Sequence, residues 1–197
     1  SIFSFYSSND NKSHIYNILA TLSLIDFLSD LKKLKKEIFL NFKIPKGRGD
    51  ISKLKFKNKQ IFLVDETYNS NPLSLKTAIE NYDKIYSKNS KKYLILGDML
   101  ELGKHSIRQH RLVSGIVNKT KINKVYLIGK YIKESIKGLH LNKNAEIIDD
   151  NFDIIKLIKR NLNNNDYLMI KGSNSTGLHK IITRLKKRNS HAISDIT

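Results

Sequence analysis

Ile61-Phe62-Leu63-Val64-Asp65-Glu66-Thr67-Tyr68-Asn69-Ser70-Asn71-Pro72 is the stretch that decides how this chain folds. Four apolar residues in a row read as a buried strand, and polar residues then end it. Pro72 opens a helix in the first-turn position, where the missing N–H of proline costs nothing. The same figure repeats downstream. Tyr93 to Leu96 is a short apolar run stopped by Gly97, and helical spacing follows from about Ser106 to Asn118. Val125 to Ile128 is stopped by Gly129 and followed by a short helix near Tyr131 to Lys137. Glu146 to Ile148 leads through Asp149-Asp150 into a helix from Phe152 to Leu162. Tyr167 to Ile170 ends in Lys171-Gly172 before a last helix from about Thr176 to Lys187.

Working outward, Leu54 to Lys57 reads as a strand joined to Ile61–Val64 by a tight polar turn around Asn58, and the helix from Pro72 extends to about Tyr86. Strands of four or five apolar residues alternating with helices predict an α/β fold. That fold is a Rossmann-like, doubly wound and mostly parallel sheet covered on both faces. Right-handed crossovers place any ligand beyond the carboxyl ends of the strands, where Asp65, Gly97, Asp98, Gly129, Asp149, Lys171 and Gly172 fall. Upstream, Ser13 to about Leu31 is helical, with Ile15, Ile18, Leu19, Leu22, Ile25 and Leu28 at helical spacing and Ser13 as cap. Pro45-Lys46-Gly47-Arg48-Gly49 punctuates the chain as a boundary. The expected division is therefore 1–48, 49–188 and a loose polar tail, 189–197.

The 197 residues carry a formal charge of +18, are 40% hydrophobic and contain no cysteine. That hydrophobic share suffices for a core, and the lack of cysteine excludes disulfides and thiolate metal sites and fits a reducing cytoplasm. The apolar runs are too short to span a bilayer, so no membrane partner is expected. The charge raises a nucleic-acid reading, but the lysines are spread along the chain with no interleaved aromatics for base stacking. Clusters at Lys32-Lys33 with Lys35-Lys36, and at Lys186-Lys187-Arg188, read as compositional bias, so no nucleic-acid partner is expected.

Several motifs carry little. Gly97 to Lys104 fails as a phosphate loop: it has five intervening residues, among them Asp98 and Glu101, where the pattern has four. The segment from Gly172 to Gly177 lies between a strand and a helix, where amides would hold an anion or form an ordinary capped turn. His105 and His110, five apart, do not share a helix face and read as surface or capping residues, so this chain is expected to hold no metal. Asp65 through Asn71 is richer. Two carboxylates, two amides, hydroxyls and an aromatic ring crowd one strand end, more than capping requires. Such groups suit ribose hydroxyls and an adenine edge.

Together with Leu96-Gly97-Asp98-Met99-Leu100-Glu101-Leu102-Gly103, that stretch resembles the Mur ligase family, on the branch that joins D-alanyl-D-alanine to UDP-N-acetylmuramoyl-tripeptide. The family pattern Asp-(Asp/Glu)-x-Tyr-Asn-Ala-Asn-Pro is met from Asp65 to Pro72, with Ser70 for alanine. Gly-Asp-Met-x-Glu-Leu-Gly is met at every position from Gly97 to Gly103. His110 falls where the family commonly has histidine. Lys171-Gly172-Ser173 matches a third motif, with Asn174 where arginine usually follows. His14 and Asn17 look like the helix that closes the family's central ATPase domain, and Arg48 is similar to the arginine of the domain junction.

The resemblance implies that 1–48 ends an incomplete central ATP-binding domain and that 49–188 is the carboxy-terminal domain. It implies a cytoplasmic enzyme of peptidoglycan synthesis, expected to be a monomer. The enzyme is an ATP-dependent, amide-forming ligase that uses Mg2+ and passes through an acyl phosphate. By the same likeness Asn17 contacts the adenine region, Arg48 the terminal phosphate as a catalytic residue, and Asp65 the ribose. Asn69 and Tyr68 stand beside the base, and Asp98, Glu101 and Lys171 help seat the dipeptide. By the same resemblance, the phosphate loop, the magnesium ligands and the uridine-nucleotide domain are expected in sequence preceding Ser1. The chain alone is therefore expected to lack activity, to bind ATP weakly, and to expose apolar surface on its first helix.

Overall fold

A computed structural model describes residues 3–7, 12–41, 46–56, 59–149 and 151–194, which fall into two units, Ser1–Pro45 and Lys46–Thr197. Asn58, Pro45 and Asp150 lie outside the described residues, as do the side chains of Ser13, Phe152 and Arg188.

In the first unit, helix α1 (Lys12–Leu28) buries Ile18 and Leu22 with Phe39, and Phe3, Phe5, Leu31 and Leu34 pack around them. The apolar positions expected along one face divide: Leu19 and Leu28 are exposed, as are Tyr16, Leu24 and Phe27. Asn17 is exposed on α1 as well.

Among its described residues the second unit contains six strands, β1 (Asp50–Phe56), β2 (Lys59–Glu66), β3 (Lys92–Gly97), β4 (Lys124–Ile128), β5 (Glu146–Ile147) and β6 (Tyr167–Lys171), in the order β1-β2-β6-β3-β4-β5. Only β1 is antiparallel, paired with β2 as a hairpin; every other pair is parallel. The helices are α2 (Pro72–Lys84), α3 (Ser106–Asn118), α4 (Asn151–Asn161) and α5 (Leu178–Ser194). The segment expected as a short helix is a 3₁₀ turn, Ile132–Gly138. Helix α5 continues through the Asn189–Ser194 part of the expected tail.

Strand alternation sorts the core into two layers. Leu94 and Leu96 of β3, Val125 and Leu127 of β4 and Met169 of β6 face one way, onto Leu75, Ile79 and Tyr82 of α2 and Val113 and Val117 of α3. Tyr93, Ile95, Tyr126, Leu168 and Ile170 face the other way, onto Ile154 and Ile158 of α4 and Ile181, Ile182 and Leu185 of α5. Each fully buried aliphatic side chain here stabilises the fold by about 1.5–3 kcal/mol. Because β6 returns between β2 and β3, the parallel order reverses beside it, which opens the ligand position of a doubly wound sheet.

Part of the basic charge is consumed inside this architecture. Lys59 Nζ donates to the carbonyls of Ile158, Lys159 and Leu162 at 3.2, 2.6 and 2.5 Å, covering the carboxyl end of α4. Lys92 Nζ donates to Asp83 O at 2.6 Å at the end of α2. Lys143 Nζ donates to the carbonyls of Thr120 and Ile122, just past α3. A helix leaves its last carbonyls unpaired and its carboxyl end negative, so an ammonium satisfies both.

Candidate functional site

The end of β2 is built by turn chemistry. Asn71 caps α2, its side chain accepting from Ser74 N at 2.8 Å while Ser74 Oγ accepts from Asn71 N at 3.0 Å. The Asp65 carboxylate, 4% exposed, accepts from Thr67 N at 3.2 Å and Thr67 Oγ1 at 2.7 Å. Its other oxygen lies 3.5 Å from Lys186 Nζ, which also pairs with Asp50 at 3.0 Å. Asp50 stands directly across the hairpin from Asp65.

Residues 46–50 close onto the same loop. Gly47 N donates to Asp50 Oδ1 at 2.7 Å, Gly47 O accepts from Tyr68 N at 3.0 Å, and Gly49 N donates to Asp65 O at 2.8 Å. Gly47 has φ +83°, and a Cβ there would meet Tyr68 N at 2.9 Å, so only glycine fits. This turn sets the Arg48 guanidinium 4.2 Å above the centre of the Tyr68 ring, a cation–π contact.

An open cleft of about 470 Å³ lies between this loop and α5. Lys46, Gly47, Asp65, Thr67 and Tyr68 form one wall; Asn174, His179, Ile182, Thr183, Lys186 and Lys187 form the other. Its size is that of a small-molecule site, and it mixes an aromatic face, an aliphatic side chain, a carboxylate and cations. Asp65 and Tyr68 thus meet in one cleft, with Arg48 stacked on Tyr68. Asn69 is exposed beside them and spends its Oδ1 on Ser70 N at 2.7 Å. Asn17 belongs to the other unit. Sequence reading missed the α5 wall, although His179, Thr183, Lys186 and Lys187 recur at helical spacing and were legible as one polar face.

The positions expected to seat a dipeptide are placed differently from one another. Asp98 lines a second cleft of about 380 Å³ with Leu100, Ile128, Gly129, Asp149, Ser175, Thr176 and Leu178. Its carboxylate, however, is held by three backbone amides: Lys130 N at 2.9 Å, Tyr131 N at 2.9 Å and Ile132 N at 2.7 Å. Gly129, with φ +141°, lets that carboxylate approach, since a Cβ there would sit 2.6 Å from Asp98 Cγ. Glu101 is exposed with φ 65°.

Lys171 is 1% exposed, 3.6 Å from Glu66 Oε2, and donates to Asn69 O at 2.9 Å. Burial pushes the Lys171 ammonium down and the Glu66 carboxyl up, and each partner's charge partly opposes the other's shift.

His110 is fully buried, which corrects the surface or capping reading. Its Nε2 accepts from Met99 N at 2.8 Å and its Nδ1 donates to Ser106 O at 2.6 Å, so the ring ties the segment after β3 to the start of α3. His105 is exposed. The Gly172–Gly177 loop spends Ser173 N on Asp98 O, Thr176 N on Ser173 O and Gly177 N on Asn174 O, the ordinary-turn alternative for this segment.

Fold and cleft together define a doubly wound α/β domain with an open cleft past the carboxyl ends of β2 and β6. The chain belongs to the Mur ligase family: the pattern described as Mur ligase, glutamate ligase domain, matches residues 52–174. It is 30% identical over 180 residues to the UDP-N-acetylmuramoyl-tripeptide–D-alanyl-D-alanine ligase of Buchnera aphidicola subsp. Baizongia pistaciae, covering 88% of this chain and 36% of that protein. It is also 30% identical over 167 residues to the ligase of the same name from Rickettsia prowazekii, covering 84% and 36%. Among solved structures, the MurF ligase of Thermotoga maritima in complex with ADP aligns with a TM-score of 0.66 and 22% identity. That alignment covers 93% of this chain and 40% of that one, a likeness of fold. The chain spans little more than a third of the length of these relatives.

Proposed function

We propose that this chain is the carboxy-terminal part of the ATP-dependent ligase that joins D-alanyl-D-alanine to UDP-N-acetylmuramoyl-tripeptide in a cytoplasmic step of peptidoglycan precursor synthesis. The observation that carries the reading is the convergence of Asp65, Tyr68 and the stacked Arg48 beside one cleft of nucleotide size. The names of the relatives supply the two parts that are joined, and the resemblance to the Mur ligases implies the route: phosphoryl transfer from ATP activates the carboxylate, and the dipeptide amine then displaces phosphate.

In this reading Asp65 receives the ribose hydroxyls, its Thr67 bonds fixing the carboxylate, while Tyr68 and Asn69 border the base. Asn17 keeps the adenine role that the resemblance implies. The planar fork of the Arg48 guanidinium suits phosphate oxygens, so it stabilises the charge that develops during transfer. Asp98 and Glu101 stand on the dipeptide side, whereas Lys171, expected beside them, is buried against the Asn69 carbonyl. For Asp98 and Lys171 the geometry favours shaping the site over touching the ligand. Among the described residues no group of three or more His, Cys, Asp or Glu side chains is placed to hold a metal ion. No helix among them is long and apolar enough to cross a membrane.

The test joins or co-expresses this chain with the preceding region of a related ligase and follows phosphate release with both substrates. Native sequence should restore turnover. Arg48→Ala should lower kcat by about 10²–10³, the usual cost of losing one transition-state charge donor, and Asp65→Ala should chiefly raise KM for ATP. The 197-residue chain alone should release no phosphate. A folded, joined protein that stays inactive, or full activity in both variants, would overturn the reading.

A further inference from the structure

Lys171 closes β6 directly opposite Glu66 in the parallel β2–β6 register. At 1% exposure its ammonium is out of reach of a ligand in either cleft. Burying a charge is costly, and an aliphatic side chain would fill the same space without that cost. The feature an aliphatic side chain lacks is a donor.

That donor goes to the backbone of the β2 loop. Lys171 Nζ holds Asn69 O at 2.9 Å, and two residues on, Ser173 Oγ donates to Ser70 O at 3.2 Å. One strand end therefore grips two consecutive carbonyls of a segment with no helix or strand hydrogen bonds of its own. Ser173 is anchored in turn: its Oγ accepts from Leu100 N at 2.9 Å and its N donates to Asp98 O at 3.0 Å. Because β6 lies between β2 and β3, the grip refers the loop to the middle of the sheet.

We infer that Lys171 is a positioning residue: its buried ammonium latches the Asn69 carbonyl and so fixes Tyr68 and Asn69 for the nucleotide without touching the ligand. The functional half of this statement rests on the ligase reading above; the latch itself does not.

Amide hydrogen exchange on the 197-residue chain, without ligand, tests the latch on the peptide covering Thr67–Asn71. Lys171→Met and Glu66→Gln break the same ion pair, but only the first removes the donor to Asn69. Lys171→Met should accelerate exchange in the loop at least tenfold. Glu66→Gln, which keeps the ammonium on the carbonyl, should leave it within twofold of the native chain. If Lys171→Met fails to fold because it strands the Glu66 charge, the double variant Glu66→Gln with Lys171→Met removes both charges, and its loop should still exchange at least tenfold faster. Equal loosening in the two single variants would make Lys171 a plain ion-pair partner. Native-like loop protection in the double variant would overturn the latch outright. Because no nucleotide is present, a negative result here leaves the ligase reading standing, and an inactive joined enzyme leaves the latch standing.

Discussion

Replacing Asp98 by alanine withdraws one carboxylate from three backbone amides at 2.9, 2.9 and 2.7 Å. Hydrogen bonds to a charged acceptor contribute about 1.5–3 kcal/mol each, and a buried donor left without a partner costs about 1–3 kcal/mol. Only the Ile132 amide bond is fully buried; those of Lys130 and Tyr131 are partly open to water and recover some of the loss. The expected destabilisation is therefore about 3–5 kcal/mol, a large share of the roughly 5–15 kcal/mol that holds a typical domain together. Asp98→Asn keeps one acceptor oxygen but turns an NH₂ toward at least one of the amides, so it should cost less, about 1–3 kcal/mol. Urea unfolding at unchanged m-value gives both numbers. Faster exchange at Tyr131 and Ile132 would place the damage at the 3₁₀ turn. A loss below about 1 kcal/mol for Asp98→Ala, or a larger loss for asparagine than for alanine, would refute the bookkeeping and leave Asp98 free for a ligand.

Two further outcomes follow from the lysines. Lys59→Met should destabilise the fold by about 1–2 kcal/mol through the carboxyl end of α4, seen as a lower urea midpoint with earliest exchange at residues 159–162; an unchanged midpoint would remove the cap. Lys92 is buried against Asp83 O, and burial lowers its pKa in the fold, so the unfolded chain holds that proton to higher pH. Native stability measured against Lys92→Met should therefore rise with pH toward the ordinary lysine value near 10.5, and a flat or falling difference would contradict the burial.

The sequence by itself determined the α/β class, the succession of strands and helices and the location of the polar loop. Those are local facts: apolar runs of strand length, glycines where they stop, and Pro72 at a helix start. It marked Asp65, Tyr68 and Arg48 because their motifs are contiguous in the chain. Strand order lay beyond it, since β6 joins β2 and β3 through pairing that no single segment encodes, and that insertion creates the cleft. Burial lay beyond it too. Lys171, Asp98 and His110 look like polar residues bound for a surface or a ligand. The tertiary structure gives each to the backbone, because residues from distant strands bring unpaired amides and carbonyls to the same strand ends. The α5 wall was half legible: its polar face shows at helical spacing, but only packing on β1 and β2 tells that this face looks into the cleft.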